Sequence, residues 1–209
     1  MRAFRIALIA AIALFVMLAA WKAMNTPFAL DDFPEELAIK VELLPLIFPL
    51  HMVTGGLALL LVPLTFVARR HPRWHRPLGR ITAADVLISG LTAFPVALVA
   101  PVTRISALGF SAQAAVWLTL LALGIHNIRR GRVAAHRACM LLMAATTSGA
   151  LLFRIALAWW AILGSARHYE VFYAADAWLA WSLPLSLAAY LLHRGSLGNE
   201  TGSLRAIPR

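Results

Sequence analysis

Four histidines, His75, His126, His136 and His193, stand where long apolar runs meet basic segments. Imidazole ligates metal ions and haem iron and also moves protons near neutral pH, so four of them at one level point to a metal, a haem or a relay. His75 and His136 are the sharper pair. Each lies immediately before an arginine, Arg76 or Arg137, at the start of an apolar run. They are the candidate metal ligands, and haem b is the cofactor they would hold. His71 and His193 read as ordinary interfacial residues. A second group lies deeper in the apolar runs: His51, Arg154 and Asp176. Counted from the span midpoints at about 1.5 Å per residue, His51 lies about 6 Å outward, Arg154 about 4–5 Å and Asp176 about 8 Å. An unpaired charge in hydrocarbon costs at least ~2.5–3.5 kcal/mol, so Arg154 needs a partner. Asp176 is the carboxylate available at that level, and an Arg154–Asp176 ion pair is expected. Its role is open between a structural join, a proton relay with His51, and an anchor for an anionic cofactor group.

The elements that must position these residues are membrane helices. The chain has 209 residues, is 61% hydrophobic and 13% charged, and leaves no room for a separate soluble domain. Spans are expected at 3–21, 43–67, 82–102, 108–127, 138–164 and 171–192, each near the ~20 residues that cross the bilayer core. The fold class is therefore an all-α bundle of six transmembrane helices. Residues 1–30 form a signal-anchor-like first helix, 31–193 the polytopic domain and 194–209 a tail. Arg2 and Arg5 before an apolar run also fit a signal peptide, but no clean small-residue cleavage site follows.

The basic residues give an orientation. They gather at Arg2 and Arg5, in 69–80, in 129–137, and at Arg194, Arg205 and Arg209. The alternate loops carry only Lys22, Lys40, Arg104 and Arg167, with Asp31, Asp32, Glu35, Glu36, Glu42 and Glu170 among them. Short cytoplasmic loops hold the Lys/Arg excess, so both termini are expected in the cytoplasm. The net charge of +10 is thereby confined to loops and does not indicate nucleic acid. A single cysteine, Cys139, excludes an internal disulfide. No phosphate loop, HExxH or GxSxG motif is present, nor an internal repeat.

Periodicity places the remaining polar residues. His136 and Arg154 are about five turns apart and share a helix face with Met140, Met143 and Thr147, which should turn inward. Thr82, Asp85, Ser89 and Thr92 form a second inward stripe, with Asp85 near enough to the basic edge to snorkel toward its arginines. Gly55 lies one turn beyond His51 and leaves room for a flat ring or a close helix. Pro49 is expected to kink the second span. Segment 69–80 reads as an interfacial loop. Segment 31–42 reads as a short surface helix with Asp32 near its cap and Pro34 in its first turn.

The strings HRPLGR at 75–80 and AHRACM at 135–140, with Arg154 and with His51 in LHMVTGGLALLLVPL, resemble the bacterial membrane family catalogued as domain of unknown function 2306. The resemblance covers roughly residues 43–192. It departs at Cys139, where the family pattern has Trp, and at Leu185, where a polar residue is expected, while Trp181 and Pro184 are kept. The resemblance implies the fold and the membrane, not an activity. More loosely, the layout looks like the four-helix core of membrane b-type cytochromes, which hold haem between histidines on facing helices.

The leading functional expectation is accordingly a membrane electron-transfer protein binding haem b through His75 and His136. Arg154 and His51 would then serve a propionate, a second cofactor or a quinone. A small-solute or proton transporter built on His51, Arg154 and Asp176 is the alternative, and an accessory or assembly subunit the third. The topology is testable by itself. A reporter active only in the cytoplasm should work when fused after Arg194 or within 69–80, and periplasmic activity at either place overturns the orientation.

Overall fold

Hydrocarbon offers no water to the backbone, so a spanning segment must satisfy its N–H and C=O groups internally, as a helix does. The computed structural model describes the backbone of residues 2–28 and 35–205 and the side chains of 4–28 and 39–194. Its elements are α1 (Arg2–Asn25), α2 (Glu35–Leu43), α3 (Ile47–Val67), α4 (Pro72–Leu98), α5 (Arg104–Arg129), α6 (Val133–Leu163) and α7 (Tyr169–Arg205). All but the short α2 are long and apolar enough to cross a membrane. The six expected spans are therefore present. The surface helix expected in 31–42 corresponds to α2, although Asp32 and Pro34 lie outside the described residues.

Two boundaries differ from expectation in the same way. Helix α4 begins at Pro72, so most of 69–80 is helix and not loop, and α6 begins at Val133. A proline at the first helical position lacks only a donor that would have gone unused. The arginines of both segments extend these helices beyond the apolar runs, since long basic side chains reach water from the interface. His75 and His136 thus become the fourth residue of their helices. Their backbone N–H groups bond His71 O at 2.9 Å and Arg132 O at 3.0 Å. Pro49 falls in the first turn of α3, where a missing donor disturbs little, so the expected kink is not required there.

The helices pack in chain order, α3 on α4, α4 on α5, α5 on α6 and α6 on α7. A lesser α3–α6 contact closes α3 to α6 into a four-helix core, with α1 outside on α3 and α7 outside on α5 and α6. Ala58, Val62, Val86, Leu121 and Met143, drawn from all four helices, fill its centre. Elsewhere the interior is made of small and hydroxyl residues, among them Ala20, Ala177, Ser89, Ser106 and Thr146, while Leu18, Leu91, Leu108, Leu183 and many like them face outward. Large apolar side chains outside and small ones at the contacts are what packing in lipid selects.

Glycines mark the closest approaches. A Cβ at Gly149 on α6 would stand 2.6 Å from Trp181 Cβ and 2.8 Å from its Cα on α7, and one at Gly56 on α3 would stand 2.9 Å from Ala20 O on α1. Gly79 on α4 is unlike them, since a Cβ there would meet nothing nearer than Thr65 Cγ2 at 3.9 Å. Gly149→Ala should therefore destabilise the bundle by about 1–3 kcal/mol, because the opposing Trp181 backbone cannot yield. Gly79→Ala should leave the detergent-solubilised unfolding midpoint unchanged or raised. Equal behaviour of the two in thermal unfolding would contradict this packing.

Candidate functional site

Three histidines are built into the core in one manner. His75 on α4 makes a 3.1 Å bond from Nδ1 to Thr65 O on α3. His136 on α6 makes a 2.9 Å bond from Nδ1 to Gly124 O on α5. His51 on α3 places Nδ1 3.1 Å from Ser89 O on α4 and 3.3 Å from Thr92 Oγ1. A carbonyl only accepts, so each Nδ1 carries the proton and donates it. The neutral imidazole then presents Nε2 as a bare acceptor. That nitrogen has no hydrogen-bond partner in any of the three among the described residues. Fixing Nδ1–H on a carbonyl while leaving Nε2 unspent is how proteins orient an imidazole that ligates a metal.

The local sequence explains the tethers. A carbonyl in a continuous helix already accepts one bond and has a second lone pair to offer. Gly124 brings α6 in until Met140 Cε and Cys139 Cβ crowd it, which carries the His136 ring onto Gly124 O. On the other seam, a 2.7 Å hydrogen bond between Thr65 and Thr82 hydroxyls holds α3 against α4 beside His75.

Arg154 lies in the half of the core opposite this basic end. Its Nη1 donates to Ala150 O on its own helix at 2.7 Å, and its charge acts on the His51 ring across the core. The structure thus brings Arg154 and His51 to one region, as their depths foretold. It does not bring Asp176 there. Among the described residues Arg154 and Asp176 make no ion pair, and the buried Asp176 Oδ2 has no hydrogen-bond partner. The reason is azimuth. Helix α7 packs on the face of α6 that carries Gly149, Phe153 and Trp160, through Trp181, Tyr173 and Phe172. Arg154 is one residue beyond Phe153, so it points about 100° away, along the Met143–Thr147 line into the four-helix core.

Asp85 is corrected as well. It does not snorkel to the arginines. It is 7% exposed, and its Oδ2 is buried with no hydrogen-bond partner. The stripe to which it belongs does face inward, with Thr82 and Ser89 also buried. The face of α6 that carries His136 and Arg154 likewise turns Met143 and Thr147 into the interior. His126 is exposed, so the histidines at the basic end do not act as a set. Among the described residues no group of three or more His, Cys, Asp or Glu side chains could hold a metal ion unaided.

Other polar contacts were not anticipated. Trp117 Nε1 donates to Thr147 Oγ1 at 2.9 Å and Gln113 Nε2 to Thr146 O at 3.2 Å, both joining α5 to α6. An amide within an apolar run was the available signal for Gln113. Lys40 on α2 donates to Val96 O at 2.7 Å and to Val99 O at 2.6 Å, satisfying carbonyls at the C-terminal end of α4. Burial pulls the Lys40 ammonium below the ordinary lysine pKa, while the negative end of the helix favours a cation there. The residue after Val99, Ala100, has φ 44°, a left-handed turn between the clamped helix end and Pro101.

The family described as a predicted membrane protein (DUF2306) matches residues 48–192, a stretch containing His51, His75, His136, Arg154 and both buried aspartates. The chain belongs to this family. No curated protein and no solved structure matches it. In this DUF2306 protein the strings HRPLGR and AHRACM are thus helix starts whose histidines bond the preceding helix, and the Cys139 departure sits at the crowded Gly124 contact.

The separation of Arg154 from Asp176 has a measurable consequence. In a double-mutant cycle of Arg154→Leu and Asp176→Leu, the two stability changes should add within about 0.3–0.5 kcal/mol, as for independent sites. A large recovery in the double variant would restore the ion pair.

Proposed function

We propose that this DUF2306 member is a membrane electron-transfer protein that binds b-type haem near the basic end of the core, where His75 and His136 would hold it. The observation that carries the reading is the paired state of these two residues. Both are the fourth residue of a core helix starting from the same end, both donate Nδ1–H to a neighbouring helix, and both leave Nε2 without a partner. Haem supplies four of its iron's ligands itself and asks the protein for two, which suits paired histidines with no larger cluster of metal-ligating side chains among the described residues.

The donor set fits the group, and so does Gly79. It lies one turn beyond His75 on the same face, and an interior helical glycine is about 0.8–1 kcal/mol worse than alanine. Helix packing does not explain it, since a Cβ would have room. A glycine one turn from a ligand-ready histidine keeps the helix surface low where a flat macrocycle would approach.

When bound, haem would supply the one-electron couple. The chain's own part is to hold the two imidazoles oriented, and to keep water away with Val62, Val86, Leu121 and Met143. In the opposite half Arg154 offers a cation to an anionic or carbonyl group, as a quinone or a redox partner's cofactor would present, and His51 offers a bare Nε2 to a hydroxyl donor, as the reduced hydroquinone would present. The transporter reading asked for His51, Arg154 and Asp176 together and loses support with Asp176 on the far side of α6. An accessory subunit whose polar groups only join helices gives no use to three unspent Nε2 atoms.

The test is the absorption spectrum of protein purified from a haem-sufficient host, oxidised and then dithionite-reduced. Bis-imidazole ligation should give sharp low-spin bands on reduction. His75→Ala or His136→Ala should abolish or broaden them, and exposed His71→Ala should not. A purified, folded parent with no Soret band overturns the reading.

A further inference from the structure

The polar residues of α4 fall on one line. His75, Thr82, Asp85, Ser89 and Thr92 recur at helical spacing over about 25 Å of helix, most of the ~30 Å hydrocarbon thickness. The line runs along the seam with α3. At the basic end His75 bonds Thr65 O, and Thr82 shares a hydroxyl bond with Thr65. At the other end Thr92 Oγ1 and Ser89 O meet His51 Nδ1, and Ser89 Oγ lies 3.6 Å from where a Gly55 Cβ would be. Between the two bonded groups stands Asp85, 7% exposed, with Oδ2 buried and no hydrogen-bond or ionic partner. It is the one member of the line with a fully buried side-chain oxygen left unpartnered among the described residues.

The charged and titratable groups around it are few. On α3 there is His51, on α4 itself His75, Arg76 and Arg80, and on α6 His136 and Arg154. Helix α5 carries none between Arg104 and His126. None of them bonds Asp85. An isolated ionised carboxylate in a low-dielectric interior is prohibitively costly, and what satisfies it with least rearrangement is a proton.

We propose that Asp85 is a membrane-embedded proton-binding site, exchanging its proton along the α3–α4 seam with His51. In the uptake step an N–H bond of the His51 imidazolium breaks and an O–H bond forms on the Asp85 carboxylate. The Ser89 hydroxyl, one turn from Asp85, accepts one proton as it gives up another. Release reverses the step, and nothing is oxidised or reduced. This site uses neither His75 nor His136 and stands whether or not haem binds; it shares only His51 with the electron-transfer reading. It differs from a relay through Asp176, which lies on another helix outside the core.

Infrared spectroscopy of the full chain in lipid nanodiscs tests it. With isotope-labelled aspartate, the unaltered protein should show the carbonyl stretch of protonated aspartic acid, to which the equally unpartnered Asp176 can also contribute. Asp85→Asn should remove a component of that band, and Asp176→Asn should keep that component. Should Asp85→Asn fail to accumulate, Asp85→Glu serves, since its band no longer responds to labelled aspartate. Transfer to heavy water reports exchange, which His51→Gln should slow by about a hundredfold, the size of a lost proton-transfer group. The absence of a protonated aspartate band in the parent, or a band in the Asp176→Asn protein that survives addition of Asp85→Asn, overturns the site. Unchanged exchange in His51→Gln overturns the route.

Discussion

A polar side chain inside hydrocarbon can turn only to the protein, and in this bundle the recurring answer is a backbone carbonyl on the next helix. His51, His75 and His136 each use one, Gln113 uses Thr146 O, and Lys40 uses two at the end of α4. These bonds consume no second side chain. They join helices while leaving the chemistry of the far nitrogen intact, which an imidazole spent between two side chains could not do. The core can therefore be nearly free of ion pairs and still be held in register.

The groups that stay unsatisfied then stand out. Asp85 and Asp176 each keep a buried oxygen without a partner, and Arg154 spends one donor on its own helix. In a soluble core such groups would be answered by ordered water. At membrane depth an unanswered polar group is costly, so these residues are the first places to look for function. The electron-transfer and proton-binding readings take opposite ends of this asymmetry: bare nitrogens at the basic end, a bare carboxylate further in.

Much of this was legible in the sequence because membrane helices obey two simple rules. Apolar length marked the spans, and helical spacing marked which residues share a face, so Thr82, Asp85 and Ser89 turn inward together, as do Met143 and Thr147. Depth was legible too, and Arg154 lies near enough for its charge to act on His51. Azimuth was not. Whether Arg154 faces α3 or α7 depends on which side of α6 the last helix docks, and that is decided by Gly149 against Trp181, a contact no periodicity announces. The starts of α4 and α6 were hidden because arginine is read as loop, although its long stem lets a helix run on past the apolar edge.

The two tethers at the basic end have a bearing on how the protein is made. His75 reaches a carbonyl only ten residues back and His136 one twelve residues back, each across a single tight connection. The α3–α4 and α5–α6 hairpins are therefore alike in plan, although no sequence repeat relates them. Each can set its own imidazole as soon as its second helix enters the bilayer. Orientation of the rings becomes a local event of synthesis, finished before the two hairpins meet, and assembly has only to bring together two halves that are already aimed.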